Sequence, residues 1–343
     1  MRATPWAMSL KLFFCIGLFS LLGCEGKTSP DTESISVKDQ LGRTVIIPRE
    51  VERIAALHHF GGMIVYALGQ QEKLVERGLY GLAAKAMVQK DPSFAARPNL
   101  LQSSSLNVEE LVALKPEIVF VYASFGKSEL ESLENAGLKV IALRGETLEE
   151  SFEAASLVAG VLGCPERAEE YLGDCRKLLA SVRERIAPIP RGQFLRVLFS
   201  GPKSVYTAAT GEMLQTRMLE AAGAVNVAAG LKGFWADISP EQLAAWNPDV
   251  IFVGSTLDTY SIDHICQNSQ FKTVKAVKEG RVYPFPSNIG WWDYPAPHCA
   301  LGVVWAAGAL YPARFRDLDM VRIADAFYEK YLGYSFTALG GRL

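Results

Sequence analysis

The sequence has no surplus of basic residues. Its 35 Lys and Arg face 37 Asp and Glu, a formal charge of −2, whereas a chain that neutralises a phosphate backbone needs the opposite balance. Nucleic acid is therefore not an expected partner. Histidine is scarce, four in 343 residues, and there is no His-rich loop, which counts against a receptor for a bare metal ion. The cysteine spacing matches no zinc motif. Gly-x-Ser-x-Gly, a phosphate loop, His-Glu-x-x-His and Cys-x-x-Cys are all missing, and with them the usual marks of a hydrolase or redox enzyme. After the first 23 residues no apolar run reaches the roughly 20 residues of a spanning helix without a charge or a break. Between the two halves there is no Gly/Ser-rich hinge.

What is present begins at the N-terminus. Arg2 and Lys11 form a basic region, Leu12 to Leu22 is apolar over signal-peptide length, and Leu21-Leu22-Gly23-Cys24 resembles a bacterial lipobox. In such a motif the Cys24 thiol takes the lipid and its freed amine becomes the new N-terminus. The polar stretch from Glu25 to Ser34 suits a flexible tether. Processing leaves 320 residues and moves the formal charge to −4. The expected chain is exported and lipid-anchored, on the periplasmic or outer cell surface. Cys164, Cys175, Cys266 and Cys299 then face an oxidising compartment. Eleven residues of helix would hold Cys164 and Cys175 too far apart to bridge, and a Cys266–Cys299 bridge is left open.

The chain repeats itself once. Asn107 to Val121 is echoed by Ser239 to Val253, identical at six of fifteen positions with a constant offset of 132. Each copy reads as a capped short helix, a proline stop and a buried strand. The apolar runs Ile118–Val121 and Val250–Val253 suit parallel strands covered on both faces. A repeat at this distance implies two lobes of like topology. The first offers strands at Arg53–Leu57, Ile118–Tyr122 and Lys139–Leu143; the second at Leu195–Ser200, Val250–Gly254 and Arg281–Phe285. Between them Pro165 to Ile186 reads as one helix, about 33 Å long, halted before Pro188 and Pro190. The expected fold is α/β: two Rossmann-like lobes joined by one long backbone helix, with the ligand in the cleft between them. The boundaries are 1–23 leader, 24–34 tether, 35–160 first lobe, 161–190 linking helix and 191–343 second lobe with a closing helix. In that closing helix Val321, Ala324, Phe327, Tyr328 and Tyr331 recur at helical spacing.

Asp39-Gln40-Leu41-Gly42-Arg43 through Pro48, followed by Arg53-Ile54-Ala55-Ala56-Leu57, resembles the opening of the helical-backbone (class III) substrate-binding proteins of ABC importers. That family includes siderophore, haem and vitamin B12 receptors. The paired helix–Pro–strand segments and the stretch Tyr206 to Val227 are similar to it as well. Trp292-Asp293-Tyr294-Pro295-Ala296-Pro297, with Leu301-Gly302, Trp305 and Leu310-Tyr311-Pro312, looks closest to the iron-compound or haem-like branch. The resemblance covers about Ile35 to Tyr334. It implies a non-enzymatic receptor with no intrinsic cofactor that carries a metal chelate as its transported ligand, ferric siderophore first, haem or corrinoid next. A metal–histidine complex or an oxyanion is the alternative cargo. Its implied partners are a permease with its ATPase subunits, and it is expected to be a monomer. The family docks one surface glutamate of each lobe onto permease arginines, and Glu109 and Glu241 match those positions. An acid in a first helical turn also favours the helix dipole.

Ligands of open α/β sheets bind beyond the carboxyl ends of the strands, which selects the candidate contacts. His58 and His59 follow the first strand, ahead of Gly61-Gly62. Two imidazoles there could coordinate a metal or bind an anionic chelator; the competing reading is that one packs inward and the other caps a helix or faces solvent. Tyr122, Ser124, Phe125 and Arg144 hold the equivalent ends of the next strands, with Arg144 suited to a carboxylate or catecholate. Tyr206, Trp235, Trp291, Trp292 and Tyr294 are the second-lobe candidates, able to wall a flat macrocycle or an organic cation. For Trp292 and Trp305 core packing is the competing reading.

Overall fold

The computed structural model describes residues 34–100, 106–201, 204–254, 259–286, 288–296 and 298–343. The leader, Cys24 and residues 25–33 of the tether lie outside them. Strand begins at Ser34. The antiparallel hairpin Ser34–Lys38 with Thr44–Pro48 sets Ile35 opposite Ile47, and its turn is closed by its own acid. Asp39 Oδ1 accepts the N–H groups of Leu41 and Arg43 at 3.0 and 2.9 Å, while Oδ2 takes the Arg43 guanidinium. The same carboxylate accepts the Ala142 N–H at 3.2 Å, and Arg43 reaches Val140 O at 3.1 Å. The Asp-x-x-Gly-Arg motif thus fastens the hairpin to the first lobe.

That lobe is built on a parallel sheet in the order Ile54–Ala56, Ile118–Tyr122, Val140–Leu143. Alternate side chains serve different cores. Ile54, Ala56, Phe120, Tyr122, Ile141 and Leu143 face the large central core, and Ala55, Val119, Val121, Val140 and Ala142 an outer one. Both faces are covered, which is why these strands are continuously apolar rather than alternating. The second lobe runs Val282–Pro284, Val250–Val253, Leu195–Ser200, Thr207–Ala208, Ala236–Asp237, with Ala224–Asn226 also paired to Leu195–Ser200. Its long strands are parallel, and the two short ones at Thr207 and Ala236 antiparallel.

The repeat is geometrical as well as sequential. Asn107 caps the helix Val108–Ala113 through the Glu110 N–H at 3.1 Å, and Ser239 caps Pro240–Trp246 through the Gln242 N–H at 3.2 Å. Each helix stops at a left-handed residue before proline, Lys115 at φ 51° and Asn247 at φ 43°, the positive-φ non-glycines among the described residues. The next acid then clamps the neighbouring strand. Glu117 accepts the Arg53 N–H at 2.9 Å, and Asp249 the Arg196 N–H at 2.8 Å.

Pro165–Ile186 is one 22-residue helix. Ala168, Tyr171, Leu172, Cys175, Val182 and Ile186 bury one stripe in the central core, which both lobes share. Arg185 pairs with Asp317 through two bonds of 2.6 and 2.7 Å. Strands are shorter than the sequence suggests, Ile54–Ala56 and Val282–Pro284 for example. The closing helix Met320–Leu332 buries Ala324, Phe327, Tyr328 and Tyr331, but Val321 is exposed. Cys266 is exposed and Cys299 buried, both unbridged thiols.

Candidate functional site

The three strand ends of the first lobe deliver three polar side chains to one cleft. His58 follows the first strand, Tyr122 ends the second, and Glu146 follows the third; they line a cavity of about 140 Å³ together with Ser124. The second lobe closes it with Met213 and Gln215 at the start of the helix Leu214–Ala221, Phe234 and Trp235 before a short strand, and Tyr294 and Pro295 in the loop after the last strand. Gly145 has a packing reason to be glycine: a Cβ there would lie 2.7 Å from Pro295 Cβ. The lobes therefore touch beside Glu146.

His58 is fixed at both nitrogens. Its Nδ1 accepts the Phe60 N–H at 3.2 Å, capping the helix His59–Ala67. The proton of the neutral ring therefore sits on Nε2, which lies 3.1 Å from the Tyr294 hydroxyl. The imidazole stacks on Tyr122 at 4.4 Å. Burial pushes its pKa down to about 4, so it is a neutral donor at neutral pH. His59 points the other way. It is 1% exposed, edge-on to Tyr80, and neither ring nitrogen has a hydrogen-bond partner among the described residues. Burial holds its pKa well below the ordinary value, with the nearby His298 and His58 adding to that. The two histidines do not converge on one point, because adjacent side chains leave the backbone in different directions. Gly62 lets their helix approach the next loop: a Cβ would sit 1.7 Å from Gly78 O. That loop carries Tyr80, which packs edge-on against Trp291 at 5.3 Å.

Glu146 is the one carboxyl among the described residues lining the cavity. The Tyr122 hydroxyl donates to its Oε1 at 2.5 Å. Burial raises its pKa, opposed by that hydroxyl and by the Leu214 N–H from the other lobe. Gln215 Nε2 donates to Asp293 O at 2.7 Å, and its buried Oε1 has no partner among the described residues. No lysine or arginine is among the described residues that line the cavity.

The structure brings His58, Tyr122, Ser124, Trp235 and Tyr294 together and leaves the other candidates elsewhere. Trp292 is fully buried, its indole N–H donating to Tyr328 at 2.9 Å and its ring beside Phe336. It belongs to the core, as does Trp305, which packs on Phe252 and Phe285. Trp291 stands behind Tyr294, against Tyr80 and His59. Phe125 packs on the outer core of the first lobe. Tyr206 packs on the outer core of the second, against Phe271, its hydroxyl 3.4 Å from His264. Arg144 is exposed and 3.5 Å from Glu150. Glu146, Gln215, Met213 and Phe234 were not singled out from sequence. The strand-end rule reached Arg144 and stopped two residues short of Glu146. Glu109 and Glu241 are exposed in equivalent first helical turns, one per lobe.

With this geometry in view, known proteins place the chain. The family model described as periplasmic binding protein matches residues 54–289. The molybdate-binding protein MolA of Haemophilus influenzae is 29% identical, over 88% of this chain and 91% of that one. Its crystal form bound to molybdate superposes with a TM-score of 0.75 at 25% identity, covering 88% and 98% of the two chains. The ABC transporter substrate-binding lipoprotein YvrC of Bacillus subtilis is 23% identical, over 92% and 99%. The chain belongs to the periplasmic binding protein family, in its two-lobed, helix-linked class, and is an ABC-importer substrate-binding protein.

Proposed function

We propose that this receptor is lipid-anchored through Cys24 and that its cargo is a small tetrahedral oxyanion of the molybdate class. The observation that carries the cargo is the size and chemistry of the cleft. About 140 Å³ is below the roughly 300–1,000 Å³ of pockets for larger organic ligands. One metal atom with four oxygens is of that scale; haem, a corrinoid or a ferric siderophore is not. Among the described residues the walls supply phenol, hydroxyl, imidazole, indole and amide groups and one carboxyl, Glu146, and none of the guanidinium clamps suited to a multiply charged chelate. The start of the helix Leu214–Ala221 adds a positive dipole end. The molybdate-binding relative supports the same class, and the lipoprotein relative supports the anchor. His58 does not serve as a metal ligand in this reading, since both its nitrogens are engaged.

Trp235 lines the cleft and reports on it. Titrating the purified protein with molybdate and tungstate should change its intrinsic fluorescence saturably, and Trp235→Phe should remove most of that change. Ferric siderophores, haemin and cobalamin serve as competitors. Saturable binding of one of these, with no response to either oxyanion, would return the cargo to the chelate class.

A further inference from the structure

Resting on the oxyanion reading, we propose that Glu146 couples capture to protonation: its carboxylate stands in for the anion, and an arriving oxyanion is bound together with one proton taken from solvent at Glu146. Its position supports this. Glu146 shares the cavity with Met213 and Gln215, which flank Leu214, the first residue of the second-lobe helix, where a ligand anion would gain from the dipole end. Its Oε1 accepts the Tyr122 hydroxyl at 2.5 Å. Its backbone is held in place, its own N–H donating to Glu150 at 3.0 Å and the preceding Gly145 leaving no room for a Cβ beside Pro295.

The groups that face it are Tyr122 from the second strand, Glu150 and Arg144 from its own segment, and His58 and Tyr294 across the cavity. Of these Arg144 is the cation, and it is exposed and set beside Glu150. A carboxylate and a dianion in one small cavity, with no cation among the described residues that line it, disfavour each other strongly, and the carboxyl is the group that can neutralise. Burial already raises its pKa. Protonated, it becomes an O–H donor to a ligand oxygen, as the neighbouring hydroxyls are. The step balances as carboxylate plus solvent proton plus oxyanion giving a carboxylic acid hydrogen-bonded to the oxyanion. No bond of the oxyanion breaks and no electrons are transferred.

The test is calorimetry of the mature chain in detergent, with molybdate and tungstate, in buffers of differing ionisation enthalpy. Wild type should take up about one proton per anion on the alkaline side of the carboxyl titration, with affinity falling about tenfold per pH unit there. Glu146→Gln keeps a donor without a charge, so its proton uptake should vanish and its pH profile flatten. Tyr122→Phe removes a bond that favours the carboxylate, so the profile should move to higher pH. Wild-type binding without proton uptake, or Glu146→Gln with the wild-type slope, would overturn the coupling and leave the oxyanion reading standing. Failure of both proteins to bind either anion, while haemin or a ferric siderophore binds, would overturn both.

Discussion

His58 and His59 show how little adjacency in sequence says about shared chemistry. One caps a helix and lines the cleft; the other is buried, with no hydrogen-bond partner for either nitrogen among the described residues. His298 is a third buried imidazole, pushed down to about 3 by burial. All three are neutral when folded, while an unfolded imidazole titrates near about 6.5. The unfolded chain therefore binds more protons below that value. The stability the three contribute is present above about pH 6.5 and lost as pH falls toward 4 and 3, on the order of 3 kcal/mol for His58 alone. Glu76 works on the other side. Its carboxylate accepts the Ala56 and Gly78 N–H groups, yet burial lifts its pKa to about 7. Here the folded chain holds the extra proton, so this contribution is present below the unfolded value and fades as pH rises through 7. Three imidazoles outweigh one carboxyl, so urea midpoints should peak near neutral pH and fall more steeply on the acid side. His59→Leu should make the acid limb shallower; an acid limb parallel to wild type would show that His59 is not part of it.

At the scale of elements, the helix–Pro–strand repeat was legible because capping residues, prolines and apolar runs act locally. The 22-residue linking helix begins and ends where its proline signals place it. The left-handed residues before Pro116 and Pro248 were not legible, since neither lysine nor asparagine announces that conformation as glycine does. The two copies solve the same turn differently. Asn247 Oδ1 accepts the Lys275 N–H at 2.7 Å, a bond made by its side chain, whereas no such bond ties the Lys115 side chain among the described residues. Lys115→Gly should therefore stabilise by about 0.5–1 kcal/mol through relief of the left-handed strain. Asn247→Gly gains the same relief but loses the bond, about 1 kcal/mol, and should come out neutral or destabilised. Chemical denaturation of the two variants separates them, and equal shifts would mean that the asparagine bond contributes nothing.

Across the whole molecule, the cleft was only half legible, for a physical reason. Strand-end position selects residues near the site, but which way each side chain leaves the chain is decided by contacts between lobes. Tyr122 and Tyr294 turn in, while Trp292 is drawn into the core by Tyr328 and Phe336. Surface roles are less exposed to that uncertainty. Glu109 and Glu241 occupy the same turn of the two repeat copies, exposed, one on each lobe. A permease that meets both lobes at once would find one carboxylate from each, and neither residue is among those lining the cleft. Capture, docking and anchoring should then separate in one uptake experiment with intact cells. Glu109→Arg with Glu241→Arg should abolish uptake of labelled molybdate while the purified variant binds it with unchanged affinity, because reversed charges at the proposed docking positions would oppose the permease contact and leave the cavity intact. Each single reversal should give a partial loss. Cys24→Ala should instead move the chain from the membrane to the soluble fraction with binding unchanged. Normal uptake by the double variant would remove the docking role, a parallel loss of affinity would make these glutamates structural, and membrane retention of Cys24→Ala would remove the anchor.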